Sequence, residues 1–429
     1  MNHRLRHLVF GLLLFCLDAH LRASDLPLPA IPDHNFNIVN YGAVGDGKTL
    51  NTVAIQKAID ACAASGGGTV EVPVGNFMFG PIVLRSRLNL QLDAGATLLI
   101  DNDMSRYPVK EKRYVDCITA EPDAHDIEIS GAGTIDGQGD VWWKAFIADL
   151  RSGANTMPHR PFMIRVNGVT RLYVTGVTLR NSPMFHLATD NCTDVTIRGI
   201  HISAPQHASN TDGIDPSGWN YLISGCTIDS GDDNIAIKPT RGRTPGDKNF
   251  TVTDCTFIHG HGMSLGGGSF NGLSDLVVSN CTFTDTDSGI RIKTGRGNSG
   301  VVSNLTYVNL TMNGVKNPIY INDYYPERNA PKNPADSTTE PVTERTPVNT
   351  HILIGNVSIT NCPTGGTIYG VPEMPISDMT FSNVTISAKT GMKIYFARNV
   401  KFINSKIIAE SGKNLMLYNA DVTGLEAGK

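Results

Sequence analysis

Four short polar clusters between residues 210 and 293 contain the side chains of this chain that could do chemistry. They read Asn-Thr-Asp-Gly at 210–213, Gly-Asp-Asp at 231–233, Gly-His-Gly at 260–262 and Arg-Ile-Lys at 291–293. Three carboxylates and a histidine can divide the work of donating a proton and activating water, and two cations can hold an anionic ligand. If these side chains meet on one surface, they suit acid-catalysed cleavage of a negatively charged polysaccharide.

The clusters lie in successive copies of a short repeat that extends from about residue 126 onward. Each copy has two or three runs of alternating apolar residues and no helical stretch. One apolar residue marks the copies at spacings of 23 to 29 residues: Val177, Ile200, Cys226, Cys255, Cys281 and Leu310. Such units cannot bury an apolar face alone, so the repeat predicts the stacked coils of a parallel β-helix, an all-β solenoid. A propeller blade would need about 40 to 45 residues.

Alignment of the copies predicts which residues lie above one another. It makes five residues equivalent: Ile214, Ile235, Met263, Ile290 and Ile319. Asp212, Asp233 and His261 stand two residues before that position, with Asp232 beside them. Stacked strands about 4.8 Å apart should therefore place them in one column on the outer wall, in a groove facing solvent. Crowded carboxylates cannot all ionise freely, so at least one should retain a proton.

Three other patterns have structural explanations. Residues 42–49 match the phosphate-binding loop consensus, but no parallel α/β pattern follows, so we interpret them as a turn before a helix. Most of the asparagines in glycosylation-type triplets fall at one turn of the repeat: Asn191, Asn249, Asn280, Asn304, Asn309, Asn356 and Asn383. A structural Asn position explains them. Lys238 occupies the same position in its repeat as Lys293 does in a later one, and either a solvent-exposed face or ligand binding would explain a lysine there.

The two ends of a β-helix need covers, because an open end exposes core and strand edges. Residues 51–64 have an apolar helical face and precede three glycines, so we predict a helix within an N-terminal cap at about 36–70. The segment at about 326–350 is rich in proline and threonine and predicts a loop insertion beside the clusters. The predicted organisation is a single β-helix catalytic domain over residues 25–429.

Residues 1–24 have the pattern of a signal peptide, with a basic leader and ten apolar residues. We therefore predict a secreted protein, extracellular or periplasmic, and no later stretch is apolar enough to cross a membrane. The net charge of -4 gives no basic field for nucleic acid. Of the eight cysteines, we interpret Cys226, Cys255 and Cys281 as a ladder of buried thiols.

The four clusters, in this order, resemble the signature segments of the polygalacturonases of glycoside hydrolase family 28. The opening at residues 41–47 is similar to that of many bacterial members, so the resemblance spans nearly the whole chain after the signal peptide. It implies a right-handed, single-stranded parallel β-helix. It also implies inverting hydrolysis of the α-1,4-galacturonosyl bonds of pectin, without a metal or other cofactor.

The resemblance assigns a role to each catalytic candidate. Asp232 would be the general acid that protonates the glycosidic oxygen, while Asp212 and Asp233 would activate the attacking water. His261 would support the protonation of the acid. Inverting enzymes usually separate their carboxyl groups by about 6.5 to 9.5 Å, whereas adjacent coils suggest less, so inversion rests on the resemblance.

The same resemblance implies that Asn210, Arg291 and Lys293 hold galacturonate. A tyrosine after the last cluster also belongs to the pattern, and we choose Tyr325, with Tyr324 as the alternative. The expected partner is polygalacturonate or pectin, bound by a monomer, without nucleic acid or membrane.

Two other functions have distinct signatures. A β-helix pectate lyase would use a lysine or arginine base, usually with bound Ca²⁺, and would form unsaturated products. A polysaccharide-binding adhesin would not need the carboxyl group of Asp232. The sequence leaves open whether cutting is internal or from chain ends, and whether xylose-substituted or methyl-esterified galacturonan is accepted.

Overall fold

Short strands joined by tight turns make up most of the chain. The protein is represented by a computed structural model, which describes residues 26–239, 246–267, 271–297 and 300–425. The predicted signal peptide at residues 1–24 lies outside the described residues. Strands are numbered β1 to β32 along the chain and the two α-helices of the described ranges are α1 and α2.

The strands are given in two groups, those before and those after the first polar cluster at residues 210–213. Those before it are β1 (Asn35–Asn37), β2 (Asp46–Leu50), β3 (Gly68–Val72), β4 (Gly75–Phe79), β5 (Ile82–Leu84), β6 (Leu88–Leu92), β7 (Ala96–Ile100), β8 (Val109–Lys110), β9 (Arg113–Tyr114), β10 (Ile118–Ala120), β11 (His125–Gly131), β12 (Thr134–Asp136), β13 (Ile164–Asn167), β14 (Thr170–Thr175), β15 (Thr178–Arg180), β16 (Leu187–Arg198) and β17 (His201–Ser203). Those after it are β18 (Ile214–Ser224), β19 (Thr227–Ser230), β20 (Ile235–Ile237), β21 (Asp247–Thr253), β22 (Thr256–His259), β23 (Met263–Gly266), β24 (Leu273–Ser279), β25 (Thr282–Thr284), β26 (Ser288–Lys293), β27 (Val301–Asn313), β28 (Asn317–Asn322), β29 (Val348–Thr364), β30 (Thr367–Tyr369), β31 (Ile376–Ile403) and β32 (Lys406–Thr423).

All of these strands except β8 and β9, which form a separate antiparallel pair, stack coil upon coil into three parallel ladders. The first begins with β1, β3 and β6, and the second begins with β2, β4 and β7. The third ladder begins with β5, β10 and β13, passes through the first halves of β16 and β18, and continues through β20, β23, β26, β28 and β30 to β31 and β32. Inward residues of all three ladders form one continuous apolar core. The predicted right-handed parallel β-helix is therefore confirmed.

The coil-to-coil register agrees with the sequence alignment. Ile214 pairs with Ile235, Ile235 with Met263, Met263 with Ile290, and Ile290 with Ile319. All five side chains are fully buried, so the inward apolar positions determine how the coils superimpose. The three aligned cysteines of the second ladder, Cys226, Cys255 and Cys281, are buried and free, as interpreted from the repeat.

The recurrent asparagines occupy left-handed turns. All seven in glycosylation-type triplets have φ between 53° and 62°, a conformation that Asn tolerates better than most residues. Four of them also form a ladder: the Nδ2 groups of Asn309, Asn356 and Asn383 each donate to the Oδ1 of the asparagine one coil earlier, at 3.1, 3.2 and 3.1 Å. The structural explanation of these residues is therefore correct.

Replacing Asn309 with Ala should lower the free energy of unfolding by about 1–2 kcal/mol, because alanine disfavours the left-handed conformation and removes two ladder hydrogen bonds. Asn309→Gly is the matched control, since glycine adopts φ 57° without strain and loses only the hydrogen bonds. Urea unfolding of both variants separates the two contributions. A parent-like midpoint for Asn309→Ala would contradict the prediction.

Helix α1 (Thr52–Ala64) covers the N-terminal end of the core, as predicted. Its buried face consists of Ile55, Ala58, Ile59 and Cys62, and it contacts β1, β3, β5 and β6. The segment predicted to be a turn before it ends in strand β2, where the carboxylate of Asp46 accepts hydrogen bonds from the backbone N–H groups of Lys48 and Thr49 at 2.9 and 2.8 Å. Because those N–H groups are already paired, this segment is not shaped to hold a phosphate.

Helix α2 (Asp140–Ser152) is a correction to the expectation that the repeats contain no helical stretch. It is inserted between β12 and β13 and ends at Gly153, which has φ 72°. Trp142 is fully buried against Tyr107, and the Trp143 Nε1–H donates to the Ser182 carbonyl at 3.0 Å. Within the described ranges, no helix is long and apolar enough to cross a lipid bilayer.

Residues 326–347 contain two 3₁₀-helices, Glu327–Asn329 and Pro334–Asp336, and no strand. Two further 3₁₀-helices, Ile38–Tyr41 and Met104–Arg106, lie earlier in the chain.

Candidate active site

The third ladder positions the core of the site. Asp212, Asp233 and His261 each stand two residues before a paired inward residue of β18, β20 or β23, so they occupy equivalent places in consecutive coils. Gly262 separates His261 from its strand with φ 76°, and a Cβ there would lie 1.8 Å from the Ser288 carbonyl oxygen. Only glycine allows the coils to approach this closely.

The expected exposure of this column is partly wrong. Asp212 and Asp233 are only 2% exposed, whereas the side chains of Asp232 and His261 are 21% and 30% exposed. The two buried aspartates still belong to the outer wall, because the side chains that cover them come from outward positions such as Arg291 of β26. They lie beneath other polar groups and not in the apolar core.

Asp233 is the most strongly paired carboxylate of the site. Its oxygens accept hydrogen bonds from Ser264 Oγ at 2.7 Å, Lys293 Nζ at 2.7 Å and Arg291 Nη1 at 3.1 Å. Burial opposes its ionisation, but the charge of Lys293 and the hydrogen bond to His261 hold the pKa of Asp233 well below its ordinary value. Asp233 is therefore a permanent carboxylate at neutral pH.

Asp232 and His261 share a proton. The Nδ1 atom of His261 lies 3.0 Å from Asp232 Oδ1, and its Nε2 atom lies 3.3 Å from Asp287 Oδ2. Burial opposes a charge on the imidazole, but the carboxylates of Asp232 and Asp233 outweigh burial and raise the pKa of His261 to about 10. Burial likewise disfavours ionised Asp232, yet the hydrogen bond from His261 lowers the pKa of Asp232. Without substrate, the proton therefore resides on the imidazole.

Asp212 is held by a cation that the sequence left ambiguous. The Nζ atom of Lys238 lies 2.6 Å from Asp212 Oδ2 and 2.5 Å from Asp215 Oδ1. Burial raises the pKa of Asp212 to about 6, against the opposing charge of Lys238. Lys238, whose side chain is 28% exposed, is thus an ion-pair partner of two buried aspartates and not a lone surface lysine.

Asn210 connects Asp232 to a buried arginine. The Nη2 group of Arg160 donates to Asn210 Oδ1 at 2.9 Å, and Asn210 Nδ2 donates to Asp232 Oδ2 at 3.4 Å. Arg160 is 2% exposed and its guanidinium stacks over the ring of Phe146, in helix α2, at 4.2 Å. The inserted helix therefore supports the site.

The cations expected to hold substrate are already engaged. Lys293 is 5% exposed, faces Asp233 and lies 5.9 Å from the ring of Tyr325. The guanidinium of Arg291 donates hydrogen bonds to two carboxylates. Its Nη1 group donates to Asp233, and its Nη2 group donates to Glu327 Oε1 at 2.9 Å.

The structure distinguishes the two tyrosine candidates. Tyr325 is partly exposed beside Lys293. Tyr324 is 6% exposed and packs edge-on against Tyr369 at 5.0 Å in a separate apolar cluster. Tyr325 is therefore the tyrosine that the structure brings to the site.

Several site residues were missed in the sequence. Asp215 and Ser264 each come directly after an inward-facing residue of a strand. Because side chains alternate between the two faces of a strand, the sequence could have identified both as outward-facing residues beside the column. Asp287 is two residues after another acidic turn residue and had no distinguishing pattern. Arg160 lies outside the repeat, in the segment after helix α2, and had no local signal.

One group of side chains in the described ranges has the spacing of a metal site. One oxygen each from Asp232 and Asp233 and one nitrogen of His261 lie within 4.8 Å of one another. The donor set does not suit a divalent cation, because Asp233 is neutralised by Lys293 and Arg291 and the imidazole carries a proton. The arrangement suits proton transfer instead.

Comparisons with known proteins identify the family of this chain. Residues 62–400 match the family model described as glycosyl hydrolases family 28. A polygalacturonase from Juniperus ashei is 35% identical over 299 residues, which cover 68% of this chain but only 57% of that protein. A probable polygalacturonase from Vitis vinifera is 31% identical over 401 residues, covering 87% of this chain and 79% of the relative.

A solved structure has the same fold. The crystal structure of a hyperthermoactive exopolygalacturonase from Thermotoga maritima is 25% identical, covers 92% of this chain and 96% of its own, and gives a TM-score of 0.76. The family model matches well over half of the chain, and it includes all four polar clusters. The chain therefore belongs to the glycosyl hydrolases of family 28.

Proposed function

We propose that this protein hydrolyses the α-1,4-galacturonosyl linkages of pectin or polygalacturonate by inverting general acid and base catalysis. Membership of family 28 and the polygalacturonase names of its relatives support this substrate class. The observation that carries the proposal is the Asp232 and His261 pair, which holds one transferable proton beside the buried carboxylates of Asp212 and Asp233. A binding protein has no need of such a proton.

Asp232 is the proton donor in this proposal. A bound galacturonate covers the exposed part of the pair and displaces water from it, and loss of solvation favours the neutral forms of both groups, so the proton moves from His261 Nδ1 to Asp232 Oδ1. Asp232 then delivers the proton to the glycosidic oxygen as the bond to the anomeric carbon breaks. Its partial exposure gives it access to that oxygen. After each turnover His261 regains a proton from solvent, which balances the water proton that Asp212 releases.

Asp212 and Asp233 activate the attacking water, and their environments suggest unequal shares. A base works best when its pKa lies near the working pH. The pKa of Asp212 is raised to about 6, whereas that of Asp233 is held well below its ordinary value. Asp212 is therefore the better acceptor of the water proton, and Asp233 fixes the cations beside it.

Arg291, Lys293, Asn210 and Tyr325 form the proposed galacturonate-binding wall. The side chain of Glu327 is 46% exposed, and its carboxylate contacts the Nη2 group of Arg291. A substrate carboxylate can replace Glu327 there, because both present the same planar pair of oxygens to the guanidinium.

We also propose the cellular organisation that the sequence predicts. Residues 1–24 would direct export to the periplasm or the extracellular space, and residues 25–429 would form one catalytic domain that acts as a monomer.

Incubation with polygalacturonate tests the proposal. We expect new reducing ends, no unsaturated product absorbing in the ultraviolet, and the same rate in a chelator, because no step uses a metal. An ultraviolet-absorbing product that disappears with chelator would identify a lyase, and binding without new reducing ends would identify an adhesin. Sizing the earliest products decides between internal cutting, which gives oligomers, and attack at chain ends, which gives monomer.

A further inference from the structure

A group of three charges, two of them buried, lies beside the catalytic cluster, and no proposed catalytic step uses Lys238 or Asp215. Lys238 bridges Asp212 and Asp215 through contacts of 2.6 and 2.5 Å. Asp212 and Asp215 are only 2% and 5% exposed, and the ring of Phe185 covers the ammonium group at 4.1 Å. Two carboxylates buried this completely are costly unless a cation such as Lys238 compensates them.

The geometry also distinguishes the two oxygens of Asp212. Oδ2 accepts the Lys238 ammonium group, whereas buried Oδ1 receives no hydrogen bond from the described residues. Lys238 therefore fixes the rotation of the carboxylate and leaves one oxygen with unused acceptor capacity. A base needs both features: a defined orientation and a free lone pair.

Charged or titratable side chains from several strands and turns surround Asp212. Asp215 follows it in β18, Asp232 and Asp233 come from the next coil, and Lys238 follows β20. Arg160 is a more distant cation, and the ring of His186 contacts the Asp212 carbonyl at 2.9 Å. Because burial keeps the pKa of His186 near 4, that ring is neutral, and Lys238 is the cation in direct contact.

We propose that Lys238, held in place by Asp215, is the positioning residue that keeps Asp212 ionised and sets the lower pH limit of hydrolysis. This inference rests on the proposed function, in which Asp212 accepts the water proton. Neither Lys238 nor Asp215 touches substrate in this assignment. They act through Asp212, and their opposite charges give them opposite effects.

The test measures kcat/KM on polygalacturonate as a function of pH. On the acid side of this profile kcat/KM falls as Asp212 becomes protonated, and we call this part of the profile the acid limb. In Lys238→Met the acid limb should move to higher pH by about one to three units, because Asp212 loses the opposite charge that favours its carboxylate. In Asp215→Asn the limb should move downward by about one pH unit, since a like charge is removed and Lys238 serves Asp212 alone. Lys248→Met is the matched control, because Lys248 lies on Trp219 in the first ladder and should leave the limb in place.

Shifts of opposite sign would support the proposal, because loss of packing alone has no reason to reverse sign between the two variants. A uniform loss of activity without movement of the limb would overturn it. If Lys238→Met fails to fold, Asp215→Asn decides alone, and an unmoved limb in that variant is likewise contrary to the proposal.

A second readout separates this inference from the proposed function. The ¹³C carboxyl resonance of Asp212, assigned with the Asp212→Asn variant, reports its titration without substrate. The pH midpoint of this titration should rise in Lys238→Met and fall in Asp215→Asn. If the resonance shifts as expected but the parent does not hydrolyse polygalacturonate, the proposed function fails and the role of Lys238 stands; an unmoved resonance in an active enzyme rejects only the role of Lys238.

Discussion

Replacing Asp232 with Asn should lower kcat on polygalacturonate by about 10²- to 10⁴-fold, the usual contribution of a general acid. Asparagine has nearly the same shape and can keep the bond that Asp232 Oδ1 accepts from the Asp233 N–H at 2.9 Å. It cannot carry a transferable proton. His261 would remain, but without Asp232 it has no group through which to deliver its proton to the glycosidic oxygen.

The matched control for this variant is Asp229→Asn. Asp229 also faces a histidine, since its Oδ1 atom lies 2.9 Å from His259 Nδ1, and the pair is partly exposed in the second ladder. We expect parent activity from this control, measured as reducing ends released per minute. Parent activity in Asp232→Asn itself would remove the catalytic assignment and favour a binding function.

Replacing Lys293 with Met should lower the free energy of unfolding by about 3–5 kcal/mol, the usual effect of removing one partner from a buried ion pair. Lys293 is 5% exposed and Asp233 is 2% exposed, so the substitution leaves a carboxylate that solvent cannot reach. In the parent, the depressed pKa of Asp233 stabilises the fold above the ordinary range of aspartate, and this contribution is lost as pH falls through the folded pKa.

Adding Asp233→Asn to Lys293→Met should recover part of the loss, because it removes a buried carboxylate that has lost Lys293 and keeps only Arg291 and His261 as cationic partners. Urea unfolding of the parent, both single variants and the double variant forms a complete cycle. Lys316→Met is the surface control: its side chain is 70% exposed beside Asp287, and its loss should cost less than about 1 kcal/mol. Additive effects of Lys293→Met and Asp233→Asn would show that the two charges do not act as a pair.

The column of reactive residues could be predicted because a β-helix aligns itself by its inward residues. Ile214, Ile235 and Met263 are fully buried and recur at the expected phase, so the polar residues two places earlier had to superimpose. Their exposure could not be predicted in the same way. It depends on how far neighbouring side chains reach, and Lys293 extends from β26 to cover Asp233, two coils away along the third ladder.

Helix α2 and Arg160 were missed for a different reason. The repeat alternates apolar residues with a period of two, whereas Trp142 and Phe146 in the inserted helix follow a helical period and so lie outside that pattern. The boundaries were visible in retrospect, since Gly139 and Gly153 bracket the segment. Nothing in the local sequence indicates that Arg160 stacks on that helix and reaches Asn210.

Among the described strands, β32 pairs with β31 alone, so the last coil has one neighbour where inner coils have two. In a stack held by nearest-neighbour contacts, thermal fraying begins at such an end and proceeds inward one interface at a time. The reactive side chains belong to the coils of β18 to β26, with those of β28, β30, β31 and β32 beyond them. Fraying from the C-terminal end must therefore break the interfaces of β32, β31, β30 and β28 before it reaches the catalytic coils.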